Sequence, residues 1–144
     1  KTEDEVAKYL WLDAVIYQTP AWWLEAPAAL KSYEDDVFGG PAMITGDGRH
    51  HENPAVNYGT GGKLKGRYMI SSTWNAPLNA FLAPDEFFEG KGIDATFFGL
   101  HKANQFIGLK PLPSFMCNDV IKNPTLESDI ERLKAHLEKV FGRA

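Results

Sequence analysis

Apolar positions in this chain follow two spacings in turn, one suited to helices and one to buried strands. Val6 and Leu10 lie one helical turn apart among charged residues. They follow Thr2-Glu3-Asp4-Glu5, in which a threonine and a glutamate three positions on form a capping box. The run Asp13-Ala14-Val15-Ile16-Tyr17 is apolar without polar alternation, which predicts a strand buried on both faces. Gln18 and Thr19 break the run and Pro20 cannot continue a ladder, so the strand is expected to stop there. Pro27 suits the first position of a helix reaching Phe38. Leu30, Tyr33 and Val37 would face inward, and Lys31, Glu34 and Asp35 outward. Residues 40–65 are rich in glycine, carry Pro41 and Pro54 and hold no sustained period. They predict a long loop, and loops of this length are usually functional or mobile.

Regular spacing returns at Arg67–Trp74, a second strand that breaks into Asn75-Ala76-Pro77. A short helical segment is expected at Pro84–Phe88. Asp94 is expected to cap a helix from Ala95 to Ile107, closed by Gly108. Leu109–Asn118 predicts a third strand, placed at a sheet edge because Pro111 and Pro113 would interrupt a central ladder. Leu126, Ile130, Leu133, Leu137 and Phe141 keep helical spacing and Gly142 follows them. Strand–helix alternation of this kind predicts one α/β domain over residues 1–144, with a parallel sheet.

Composition narrows the class. A chain of 144 residues with 44% hydrophobic residues can bury a real core. The net charge of −4 and the lack of a basic tract argue against nucleic acid as a partner. The single cysteine, Cys117, forms no internal disulfide and fits a reducing compartment. No apolar run approaches the roughly 20 residues of a membrane span. The expected location is cytoplasmic.

In open α/β sheets, ligands sit beyond the carboxyl ends of the strands. Two predicted strands end here in polar residues, tryptophan and proline: Gln18-Thr19-Pro20-Ala21-Trp22-Trp23 and Thr73-Trp74-Asn75-Ala76-Pro77. Such residues can grip a flat ring by edge and face, although adjacent tryptophans are more often packing. His101 reads as a structural histidine on a helix. The adjacent pair His50-His51 lacks zinc spacing, and no metal site is expected. Cys117, in an apparently buried strand, is not expected to be a nucleophile. Gly59-Thr60-Gly61-Gly62 does not follow a strand and open a helix, so it is not a dinucleotide fingerprint.

The blocks Gln18–Trp23, Lys31–Phe38, Ser72–Pro77, His101–Phe106 and Pro111–Phe115, in that order, resemble the quinone reductases of the modulator of drug activity B type. The resemblance covers nearly the whole chain. It implies a flavodoxin-like open parallel sheet with helices on both faces, of which only the third to fifth strands are present. It also implies FAD as cofactor, NADPH as electron donor, a quinone as acceptor and a homodimer. Gln18, Thr19, Pro20, Ala21, Trp22, Trp23, Thr73, Trp74, Asn75 and Ala76 would then hold the flavin ring, with the tryptophans as aromatic walls. Tyr58, Gly59, Gly61 and Gly62 would shape the pocket shared by nicotinamide and quinone. No general base is required. The resemblance further implies that about 45 to 50 residues precede Lys1, carrying a strand, a loop that grips the cofactor diphosphate, a helix and a second strand. The competing expectation is a non-catalytic module that has lost the phosphate loop.

Overall fold

The computed structural model describes residues 2–142. In chain order the elements are α1 (Thr2–Trp11), β1 (Ala14–Pro20), α2 (Ala28–Phe38), β2 (Arg67–Thr73), α3 (Leu78–Leu82), α4 (Gly92–Thr96), α5 (Phe98–Phe106), β3 (Lys110–Pro111), β4 (Phe115–Cys117) and α6 (Leu126–Phe141). The sheet order is β1-β2-β3, with β4 also paired to β2. β2 runs parallel to both β3 and β4. Five consecutive residues of β2, Tyr68 to Ser72, are buried, which makes it the central strand.

β1 differs from its sequence reading in length and in burial. It continues through Gln18, Thr19 and Pro20. The Asp13 carbonyl accepts from the Arg67 amide, and the Ala21 amide donates to the Thr73 carbonyl. Odd-numbered residues therefore point their backbone groups at β2, and Pro20 sits at a position whose missing N–H would face away. Side chains alternate, with Tyr17 and Thr19 buried and Ile16, Gln18 and Pro20 exposed, so one face is covered rather than two.

The third strand is an edge strand, but it is broken. Arg67 pairs with Lys110 and Ser71 with Phe115, so one extra residue intervenes on the edge side. That is the signature of a bulge, and it falls where Pro111 and Pro113 remove amides from the ladder.

The chain divides into two compact units: Lys1–Ile16, Pro27–Tyr68 and Phe98–Pro111 form the first, and Tyr17–Ala26, Met69–Phe97 and Leu112–Ala144 the second. In the first unit, α1 is anchored by Tyr9, whose ring packs edge-on to Phe38 at 5.4 Å. Leu10, expected to face inward, is exposed, whereas Glu34 of α2, expected outside, is buried. The Tyr68 hydroxyl bonds His101 Nδ1 at 2.7 Å and accepts from Gln105 Nε2 at 3.3 Å, tying α5 to the start of β2.

Residues 40–65 are more ordered than their composition suggests. Lys63 N donates to Met43 O, Thr45 N to Gly61 O and Gly59 N to Asp47 O. Ile44 and Gly62 form an antiparallel bridge between them. These pairs keep one register, so two short arms run antiparallel and present residues 48–58 as their tip. Gly61 is required by this packing, because a Cβ there would lie 2.0 Å from the Gly46 carbonyl oxygen.

In the second unit the helix expected over 95–107 is split. α4 begins at Gly92, with Asp94 inside it rather than capping it. α4 and α5 part at Phe97, whose φ of −94° and ψ of 28° leave helical geometry. The break lets the Phe97 ring reach Trp74, 5.5 Å away. The short helix is α3, following Pro77, and residues 84–90 form turns instead. α6 matches its predicted span, and its Arg132 and His136 side chains bond the Met116 and Pro113 carbonyls of the edge segment. Those contacts occupy acceptors that a sheet edge would otherwise expose.

The Gly61 contact yields a direct test. Gly61→Ala is expected to destabilise the fold by about 1–3 kcal/mol, as overpacking does when the obstructing atoms are backbone. Chemical denaturation measures it, and an unchanged midpoint would contradict the packing described.

Candidate functional site

The two segments expected to contact a flat ring meet in the second unit. The Ala21 amide donates to the Thr73 carbonyl at 3.0 Å. The next residue on the β2 side is held still more firmly: Trp74 N donates to Cys117 O at 2.9 Å, and Trp74 O accepts from Val120 N at 3.1 Å. The Ala76 carbonyl accepts from Asp119 N at 3.2 Å and from Asn118 Nδ2 at 3.3 Å. The ends of β1, β2 and β4 are therefore knotted together through main-chain groups.

Trp74 does not offer its ring to a ligand. Its side chain is 3% exposed and packs among Phe81, Phe88 and Phe97. Its indole N–H donates to Ser72 Oγ at 2.9 Å. The expectation of an aromatic wall at this position is corrected: the side chain fixes the loop, and only its neighbours can face a ligand. Thr19 is likewise buried, with its hydroxyl on the Pro20 carbonyl. Gln18 Oε1 accepts from Ser71 Oγ at 2.7 Å. Gln18 and Thr73 line a mainly apolar groove of about 440 Å³ against α6, with Phe115, Cys117, Ile130 and Leu133.

Trp22 and Trp23 are different. Trp23 is 99% exposed and Trp22 is also open to solvent. They belong to a tight turn in which Trp22 N donates to Glu25 O and Glu25 N to Trp22 O. Its central residues, Trp23 and Leu24, both hold positive φ, 51° and 69°. Neither is a glycine, and each such residue costs roughly 1–2 kcal/mol. Strain of this kind clusters where a structure positions groups for a ligand.

The hydrogen-bond pattern separates committed donors from available ones. The amides of Ala21, Trp22 and Trp74 are taken by protein carbonyls and Pro20 has none. Among the described residues, the amides of Trp23, Leu24, Asn75 and Ala76 have no protein acceptor. These four lie on either side of the Ala21–Thr73 bond. Sequence reasoning had no signal for Leu24, nor for Ser72 and the phenylalanines that hold Trp74.

The second set of candidates lies in the first unit. Tyr58 is exposed and its ring packs 5.6 Å from that of Phe106. Gly59 and Gly61 belong to the antiparallel arms, and Gly62 packs against Gly108, where a Cβ would lie 2.2 Å from the Gly108 nitrogen. These glycines permit close approach of the chain to itself. Sequence reasoning missed Asp47 and Arg49 at the tip. Arg49 donates through Nε to Asp47 Oδ2 at 2.7 Å, and its guanidinium lies 5.6 Å above the Tyr58 ring. Hydrogen bonds from Arg49 hold the Asp47 carboxyl below the ordinary carboxylate range, and Asp47 in turn raises the Arg49 pKa.

Among the described residues no cluster of His, Cys, Asp and Glu could hold a metal, and no helix is long and apolar enough to cross a membrane. Cys117 is half-buried; burial pushes its thiol pKa up, the Asp129 charge adds to this and Arg132 opposes it. Thiolate is therefore scarce at neutral pH, and alkylation of Cys117 is expected to be slower than that of free cysteine, rising as pH climbs. A labelling rate equal to that of the free amino acid at pH 7 would contradict this placement.

The family of flavodoxin-like fold matches residues 1–140. The chain is 50% identical to the NADPH:quinone oxidoreductase MdaB of Haemophilus influenzae, over 97% of this chain and 74% of that protein. It is 52% identical to the Schizosaccharomyces pombe protein C5H10.05c, over 97% of this chain and 73% of that one. A candidate quinone reductase from Klebsiella pneumoniae superposes with a TM-score of 0.76 at 25% identity, over 96% of this chain and 52% of that chain. The chain belongs to the flavodoxin-like family, in the modulator of drug activity B group.

Proposed function

We propose that this chain is the ring-binding part of a flavin-dependent NADPH:quinone oxidoreductase, with FAD as its flavin. The observation that carries the proposal is the set of four uncommitted amides, Trp23, Leu24, Asn75 and Ala76, beside two exposed tryptophans. A flavin ring presents acceptors along one edge and a broad face, and these residues fit both. The half identity to the Haemophilus influenzae oxidoreductase supports the same reading.

When bound, the flavin supplies the hydride chemistry, and the protein supplies orientation and electrostatics. The amides of Asn75 and Ala76 would donate to the ring's polar edge and favour its more negative, reduced form. They cost little reorganisation, because the Trp74 amide and carbonyl and the Ala76 carbonyl already fix the backbone that bears them. Trp22 and Trp23 would cover the ring and exclude water from it. Gln18, Thr19, Pro20, Ala21 and Thr73 set the strand ends from which these groups project, and Trp74 acts as a positioning residue. Tyr58, on its glycine-rich arms, would contact the nicotinamide or the quinone. Residues 1–144 would form part of one catalytic domain, working as a homodimer in the cytoplasm.

The test uses the full-length protein. Purified enzyme is expected to carry flavin, identified as FAD after extraction, and to oxidise NADPH when a benzoquinone is supplied. Trp22→Ala and Trp23→Ala should each weaken flavin binding by about 0.5–1.5 kcal/mol, the worth of an aromatic contact. A correctly folded protein that neither retains flavin nor turns over NADPH with any quinone would overturn the proposal and leave a non-catalytic module in its place.

A further inference from the structure

The tip of the antiparallel arms holds a cation that neither the flavin reading nor the packing of the first unit uses. Residues 40–65 carry Arg49, Lys63 and Lys65 against Asp47 and Glu52, in a chain whose net charge is −4. Lys63 spends its ammonium on the Pro41 carbonyl at 2.7 Å. Arg49 is held in a defined pose. The Asp47 carboxylate takes Nε at 2.7 Å and pairs with Nη2 at 2.6 Å through one oxygen, and accepts from the Arg49 amide at 2.9 Å through the other. Tyr58 underlies the guanidinium at 5.6 Å. The side chain is nevertheless 45% exposed.

The arms explain the pose. Gly59 N on Asp47 O closes the ladder at 2.7 Å, and Arg49 and Tyr58 follow and precede that pair on opposite strands. Gly48, with φ of 92°, leaves no room for a Cβ against Thr60 and Asn57, so the turn into Arg49 is compact. A guanidinium has five donors, and the carboxylate occupies two of them on one side. The remaining donors, chiefly on Nη1, keep the planar fork that matches a phosphate. The entropy cost of ordering a long side chain has been met before any ligand arrives.

Resting on the reading of this chain as an NADPH-dependent oxidoreductase, we propose that Arg49 binds a phosphate group of the dinucleotide electron donor, with Asp47 as its positioning residue. Tyr58 lies beneath the guanidinium and supports it. Two phosphates of the donor share this chemistry: the 2′-phosphate, found in NADPH and not in NADH, and the diphosphate common to both.

The experiment uses the full-length flavin-loaded protein and three variants, Arg49→Ala, Arg49→Lys and Asp47→Asn. Steady-state turnover is measured with NADPH and NADH, and calorimetry follows NADP⁺ binding, which needs no turnover. Arg49→Ala is expected to raise KM for NADPH by about tenfold or more, the scale of one lost charge-assisted contact. The quinone KM and the flavin content should stay put. Arg49→Lys should fall between, because it keeps the charge and loses the fork, and Asp47→Asn should move in the same direction by less. A rise confined to NADPH assigns the 2′-phosphate, and an equal rise for NADH assigns the diphosphate. If the parent enzyme turns over NADPH while the folded Arg49→Ala and Arg49→Lys variants keep its donor KM values and its NADP⁺ affinity, the assignment of Arg49 is wrong and the oxidoreductase reading stands. If Arg49→Ala loses flavin or unfolds, Arg49→Lys decides alone, with unchanged NADP⁺ affinity as the contrary result. A parent protein that binds neither flavin nor NADP⁺ removes the oxidoreductase reading itself, and the inference with it.

Discussion

The main-chain bonds around Trp74 are the constraint on which the second unit depends. Its amide is tied to Cys117 and its carbonyl to Val120, while the residue before it accepts from Ala21. A strand end is normally free to fray, because its last donors and acceptors lack partners. Here the partners are supplied by the neighbouring strand ends, and the buried indole, bonded to Ser72 and enclosed by Phe81, Phe88 and Phe97, keeps water from competing. Because these groups are satisfied, the few amides left over are conspicuous. Among the described residues, the amides of Trp23, Leu24, Asn75 and Ala76 have no protein acceptor.

The first unit solves a different problem. Residues 40–65 have little apolar material with which to fold, yet the arms from Met43 to Asp47 and from Gly59 to Lys63 hold a constant antiparallel register. Glycine makes this possible by letting backbone meet backbone where any side chain would intrude, as at Gly61. The result is a fixed base from which Arg49 and Tyr58 project as a pair, with Asp47 orienting the guanidinium. Both units thus present groups in poses set by hydrogen bonding before a ligand is present.

Much of this was legible in the residues, and the failures have physical causes. The amphipathic spacing of α6 gave its span directly, and Pro111 and Pro113 marked the edge strand. Pro20 was misread as a stop because its effect depends on which edge its missing N–H faces, and that is decided by pairing, not by sequence. The helix over 95–107 was broken by a tertiary demand, the burial of Phe97 beside Trp74, which no local propensity encodes. Trp22, Trp23 and Trp74 are alike in sequence, and only packing separates a core indole from two exposed ones. The pairing of Asp47 with Arg49 escaped notice because the loop around it showed no period.

Amide hydrogen exchange on the full-length protein, with and without flavin, tests the central claim most directly. Without flavin, the amides of Ala21, Trp22 and Trp74 should be protected, and those of Trp23, Leu24, Asn75 and Ala76 should exchange rapidly. Adding flavin should slow exchange at those four and leave the first three little changed. Flavin binding that left all four as fast as before, with new protection elsewhere in the chain, would contradict the account.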